Sequence, residues 1–155
     1  MTEAAERQRY ITAAKGYIGT PYHHMGMIKG AGVDCATLLI CAARDAGLPG
    51  GDCVLDYYAP HWHLHRNSQK YLSIIHRFCK PVDYWPPRPG DIVLWQFGRS
   101  YSHSAIVIDW PTIIHAYVGR PVGIEDADRN MKLQFIIEDR DASKPRPRMV
   151  VSHWG

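Results

Sequence analysis

An α+β fold, with helices first and an antiparallel sheet second, is what the sequence predicts. In the first half, apolar residues recur at helical spacing over residues 3–17 and again from Cys35 onward. After a connector at 81–89 that holds four prolines, the apolar period changes to two. The strands that follow are joined by short turns, with no crossover helix between them, so they pair antiparallel and not as βαβ units.

The first helix is expected over residues 3–17, where Tyr10, Ile11, Ala14, Tyr17 and Ile18 form one apolar stripe and Gly19-Thr20-Pro21 supplies the stop. A glycine-rich stretch (Gly26, Gly30, Gly32) leads into Val33-Asp34. A second helix starts at Cys35, with Asp34 as its N-cap, core positions at Leu38, Leu39, Ala42, Ala43 and Ala46, and Gly47 and Pro49 ending it. Residues 50–66 read as irregular, and 67–78 as a third helix capped by Asn67. Strands are expected at 92–97, 103–108 and 112–118, with shorter ones at 122–125 and 133–138. The basic, proline-spaced segment 144–148 reads as a solvated loop. Neither half alone has enough core, so residues 1–155 are expected to form one domain; a chain of this length buries roughly two-thirds of its unfolded surface.

Bulk properties exclude several classes of function. Apolar residues make up 46% of the chain and charged ones 21%, and the formal charge is only +3. No basic stripe is interleaved with aromatics, so a nucleic-acid partner is not expected. No apolar run approaches the ~18 residues that cross a bilayer. The N-terminus has no apolar stretch of the secretory kind, so synthesis in the cytoplasm without a signal peptide is expected, with the four cysteines reduced. Nothing in the pattern speaks to oligomeric state.

Three residues suggest chemistry. A cysteine in the first turn of a helix, Cys35, meets the positive end of the helix dipole and unpaired N–H groups, which favour thiolate and could hold a developing oxyanion. The preceding glycines would let backbone approach a substrate closely. A thiolate nucleophile needs an imidazole to carry its proton and a polar group to orient that imidazole. His103 and His115 lie on consecutive strands, and a hairpin centred on Asp109 would set them opposite each other with Cβ atoms about 5 Å apart. Any register shifted by an even number keeps both on one face.

The ordered set Gly19-Thr20-Pro21-Tyr22, Val33-Asp34-Cys35, Arg88-Pro89-Gly90-Asp91-Ile92-Val93, His103-Ser104-Ala105-Ile106-Val107 and Ile114-His115-Ala116 resembles the NlpC-type cell-wall peptidases. That resemblance covers roughly residues 16–118 and implies a papain-like cysteine hydrolase of peptidoglycan stem peptides, acting between D-glutamate and a diamino acid. It makes Cys35 the nucleophile, His103 the general base and acid, and His115 the orienting group, with no cofactor. It puts Tyr22 and Asp34 in the substrate site. The family reads Asp-Cys-Ser-Gly, whereas this chain reads Asp34-Cys35-Ala36-Thr37, so Ala36 replaces a serine that helps to hold a substrate's free amine. The compact chain looks most like the phage-encoded branch, which implies phage tail proteins as partners and a place in a virion tail.

Other readings stand beside it. His61, His63 and His65 alternate and would share one face of a strand, where they could ligate zinc with His23 or His24. The same fold could serve as a non-catalytic tail component. It could also act as an amidase or acyltransferase on another substrate, because a fold and a triad do not specify what is cut.

Overall fold

The computed structural model describes residues 1–55, 70–98, 100–136 and 144–155. Helix α1 (Glu3–Lys15) is capped by Thr2, whose Oγ1 accepts from Ala5 N–H. Its stripe of Tyr10, Ile11 and Ala14, continued by Tyr17, is buried as expected, but Ile18 turns outward and is 49% exposed because the helix has ended three residues earlier. Helix α2 (Cys35–Ala46) is the centre of the molecule. Asp34 caps it in a capping box with Thr37, and Gly47 closes it in the left-handed conformation at φ 71°. Leu38, Leu39, Cys41, Ala42 and Ala43 are all enclosed, so the small residues let α1 and the sheet approach closely. Helix α3 (Lys70–Ile75) falls within the expected third helix and ends three residues before its expected end at 78; Asn67, its expected cap, lies outside the described residues.

A two-stranded hairpin, β1 (Met27–Ile28) and β2 (Gly32–Val33), delivers the chain to Asp34. Its glycines serve this hairpin. A Cβ on Gly32 would lie 2.4 Å from the Cβ of His23, and one on Gly26 would lie 2.5 Å from the Gly32 carbonyl oxygen. The close approach they permit is of the loop to itself, where a substrate had been expected.

The main sheet contains β3 (Lys80–Val82), β4 (Ile92–Phe97), β5 (Ser100–Asp109), β6 (Thr112–His115), β7 (Gly123–Asp126) and β8 (Arg148–Ser152). It is antiparallel in the order β3-β8-β4-β5-β6-β7. One face (Ile92, Leu94, Ile106, Ile114, Val151) packs on the helices; the other (Val93, Trp95, Ala105, Val107, Ile113, Val150) is covered by Ala127 and Leu133. The expectation of an α+β fold, helices first and an antiparallel sheet second, therefore holds.

Several local expectations fail. Residues 133–138 were expected as a strand, yet Leu133 and Gln134 close a short helix α4 (Met131–Gln134), because Asn130 caps it and Leu133 is drawn onto the second sheet face; 137 and 138 lie outside the described residues. The expected solvated loop at 144–148 contains Arg146, which is 5% exposed. Its guanidinium donates to the carbonyls of Lys132 (2.7 Å), Gln96 (2.9 Å) and Phe135 (3.1 Å). Arg148 then opens β8, an interior strand of the sheet between β3 and β4 that the alternation did not reveal. At the connector, Asp91 is fully buried and accepts from Arg7 Nη1 (2.7 Å), the Tyr84 hydroxyl (2.6 Å) and Arg88 N–H (2.9 Å). The Pro89-Gly90-Asp91 turn is thereby tied to α1.

Candidate active site

Cys35 occupies the first position of α2, 5% exposed. Its thiol donates to the Ser102 carbonyl at 3.5 Å, and its own carbonyl accepts from the Ser104 hydroxyl at 3.0 Å. Both residues that flank His103 are thus bonded to Cys35. The Tyr71 hydroxyl donates to Ser104 Oγ and steadies that serine from α3.

The cap decides which N–H groups are left for an oxyanion. Asp34 Oδ1 takes the N–H of Ala36 (2.9 Å) and of Thr37 (2.8 Å), and the Asp34 carbonyl takes that of Leu38. Only the Cys35 N–H remains of the first turn. The expectation of a thiolate at rest fails as well. Burial, followed by the charge of Asp34, pushes the Cys35 thiol up to about 12. The Tyr71 hydroxyl and the N–H groups of Ser104 and Cys35 pull the other way and are outweighed.

His103 and His115 meet, though by a different register from the one expected. Ile106 pairs with Ile114 and Val107 with Ile113, and an irregularity follows before Asp109↔Thr112. Ala105, not His103, therefore stands opposite His115, and the histidines are diagonal neighbours. The shift is even, so both remain on one face, with His103 Nε2 and His115 Nδ1 2.9 Å apart. Trp95, Phe97 and Tyr117 pack around the His103 ring, with centroids at 5.7, 6.0 and 5.1 Å. Burial pushes His103 well below the usual imidazole range; His115 and Arg146 add to this. Burial also lowers His115, against the opposing pull of Glu125.

Glu125 is the residue that sequence reasoning missed. Its Oε2 lies 2.7 Å from His115 Nε2, and its Oε1 accepts from Asn130 Nδ2 at 2.9 Å. The available cue was an acidic residue in the strand after His115, on the histidine face: Ile113 pairs with Glu125.

The expected substrate residues are placed unevenly. Tyr22 is half-buried and lines a cavity of about 350 Å³ with Pro21, Gly119, Arg120 and Pro121. A neighbouring cavity of about 340 Å³ shares Arg120 and Pro121 and reaches His115, Tyr117 and Glu125. Burial, and then the proximity of Cys35 and Asp34, raise the Tyr22 phenol, so the hydroxyl stays protonated. Asp34 is 2% exposed, and its second oxygen accepts from Met25 N–H at 2.9 Å, so its carboxylate serves the backbone on both sides. Ala36 is fully enclosed. Of the expected zinc ligands, His61, His63 and His65 lie outside the described residues, and among the described residues no three candidate ligands cluster.

Solved structures share this architecture. The NlpC/p60 domain of the peptidoglycan hydrolase SagA is 20% identical with a TM-score of 0.53, covering 79% of this chain and 90% of that one. A lipoprotein-like NLP/P60 family protein from Staphylococcus aureus is 20% identical with a TM-score of 0.57 over 83% of this chain, which spans only 38% of its length. RipD from Mycobacterium tuberculosis, described as a non-catalytic NlpC/p60 domain protein adapted to peptidoglycan binding, is 13% identical with a TM-score of 0.54, covering 94% and 95% of the two chains. No protein-family model and no curated protein sequence matches the chain. The helices and antiparallel sheet are thus those of the papain-like α+β class, and within it the fold is that of NlpC/p60 domains.

Proposed function

We propose that this protein is a cysteine peptidase that hydrolyses amide bonds in peptidoglycan stem peptides, of the D-glutamyl–diamino acid type. The observations that carry the reading are the double hydrogen bond of Cys35 to the residues on either side of His103 and, separately, the joined His103–His115 pair. His103 Nε2 is engaged by His115, which leaves Nδ1 as the nitrogen that can take the thiol proton. The thiolate attacks the amide carbon and the Cys35 N–H faces the resulting oxyanion. His103 returns the proton to the leaving amine, and a water deprotonated by the same imidazole hydrolyses the thioester.

With a neutral thiol and a neutral imidazole at rest, the proton moves as the attack occurs, not before it. The test is incubation with purified muropeptides, with mass spectrometry of the products. A new diamino-acid amine is expected from the wild type and none from Cys35→Ala. The second reading is a non-catalytic peptidoglycan-binding domain, favoured by the thiol's bond to the Ser102 carbonyl in place of an imidazole. Muropeptides bound but returned uncut would establish that reading. The phage-tail setting rests on the sequence resemblance alone, and co-purification with tail particles tests it.

A further inference from the structure

The relay beyond His115 has a direction, and it starts at a helix cap. Asn130 caps α4, and its Oδ1 accepts the Leu133 N–H at 3.2 Å. A backbone N–H can only donate, so the carboxamide is pinned with its oxygen toward Leu133 and its Nδ2 toward Glu125. That nitrogen donates to Glu125 Oε1 at 2.9 Å, and the Arg120 guanidinium lies on the same oxygen at 3.8 Å. The other oxygen, Oε2, faces His115 Nε2 at 2.7 Å and can only accept, so Nε2 carries the proton. A neutral His115 then has a bare Nδ1. The ring nitrogen 2.9 Å away, His103 Nε2, must supply the hydrogen, and His103 is left with a bare Nδ1.

We propose that Asn130 and Glu125 are positioning residues that set the tautomers of both histidines, so that His103 presents an unprotonated Nδ1 as the base. The assignment deepens the peptidase reading and rests on it for the role of His103, but the tautomers themselves exist whether or not the protein cuts anything. Burial of His115, which holds its ring neutral, fits the same chain.

The chain of donors makes an inverted prediction for two substitutions. In Glu125→Gln, Asn130 Nδ2 still demands an oxygen, so the new amide nitrogen turns to His115. The proton on His115 moves to Nδ1, that on His103 moves to Nδ1, and the base is blocked. In Glu125→Ala nothing dictates the tautomer, and both rings can adopt the productive one part of the time. The isosteric Gln is therefore the more damaging change, with a loss on the order of 10⁴-fold in kcat, the scale of an imidazole held in its wrong tautomer. A residue needed only for packing would rank the two variants the other way. Adding Asn130→Asp to Glu125→Gln restores the polarity: one aspartate oxygen keeps the Leu133 N–H, and the other accepts from the Gln amide, whose oxygen then faces His115.

The experiment is ¹⁵N NMR of the histidine rings in the full chain, with muropeptide turnover measured in parallel. Both wild-type rings are expected as the Nε2–H tautomer, both rings of Glu125→Gln as Nδ1–H, and both rings of the double variant as Nε2–H again with turnover recovered. A wild-type His103 or His115 protonated on Nδ1 would overturn the assignment without any variant having to fold. So would Glu125→Gln rings that keep the wild-type tautomer. If the ring tautomers switch as stated while no variant, wild type included, cuts muropeptides, the positioning chain stands and the peptidase reading fails.

Discussion

His153 sits near the C-terminus, away from the candidate site, yet it should govern the acid stability of the protein. Its ring stacks on Phe78 at 5.5 Å and meets the edges of Tyr10 at 4.8 Å and Trp154 at 5.3 Å. Neither ring nitrogen has a hydrogen-bond partner among the described residues. Burial, and then the positive charge of Arg7, lower its pKa from 6.5 to about 4, with Asp91 opposing. The unfolded chain therefore binds a proton that the folded one refuses. The stabilisation is complete above about pH 6.5 and is lost as the pH falls toward 4. At about 1.36 kcal/mol per pH unit, a titration moved from 6.5 to about 4 is worth about 3 kcal/mol. His153→Phe keeps the ring contacts and removes both the titration and two unpaired buried nitrogens. Urea unfolding between pH 8 and 4 should show the variant gaining on the wild type by about 3 kcal/mol over that interval. A stability difference independent of pH would refute the reasoning, because it would mean that His153 is hydrated or partnered in solution.

Three further outcomes follow from the site and its supports. Because His103 is held neutral by burial, kcat/KM should stay level as the pH falls through 6.5 and decline only below it, with a normal solvent isotope effect from the proton in flight; an acid limb at or above 6.5 would contradict this. His103→Ala should lose about 10² to 10⁴ in kcat, the usual worth of a general base, whereas His115→Asn can still accept from His103 Nε2 and should keep measurable turnover; equal small losses would remove both from the site. Arg146→Ala strands three carbonyls and removes the cation 3.9 Å over the Phe97 ring that packs on His103. It should cost about 3–5 kcal/mol in urea unfolding and lower turnover with it.

The sequence by itself determined whatever depends on local period and local chemistry. Asp34, Gly47 and Pro49 announce the two ends of α2, and with them the place of Cys35 in its first turn, because caps act within a few residues. The period of two, and the parity of a hairpin, put His103 and His115 on one face whichever even register formed. Only the tertiary structure decided what depends on groups brought together from far along the chain. Residues 148–152 enter the sheet between β3 and β4 because both present open edges to them, and no local pattern encodes that pairing. Arg146 is buried because three carbonyls converge where it lies, although a proline-spaced basic run reads as surface. The resting thiol is neutral because it is buried beside the charge of Asp34, and desolvation then outweighs the helix dipole that the sequence could foresee. Glu125 joins the histidines through the register of β7 on β6, and register is settled by the packing of both faces at once.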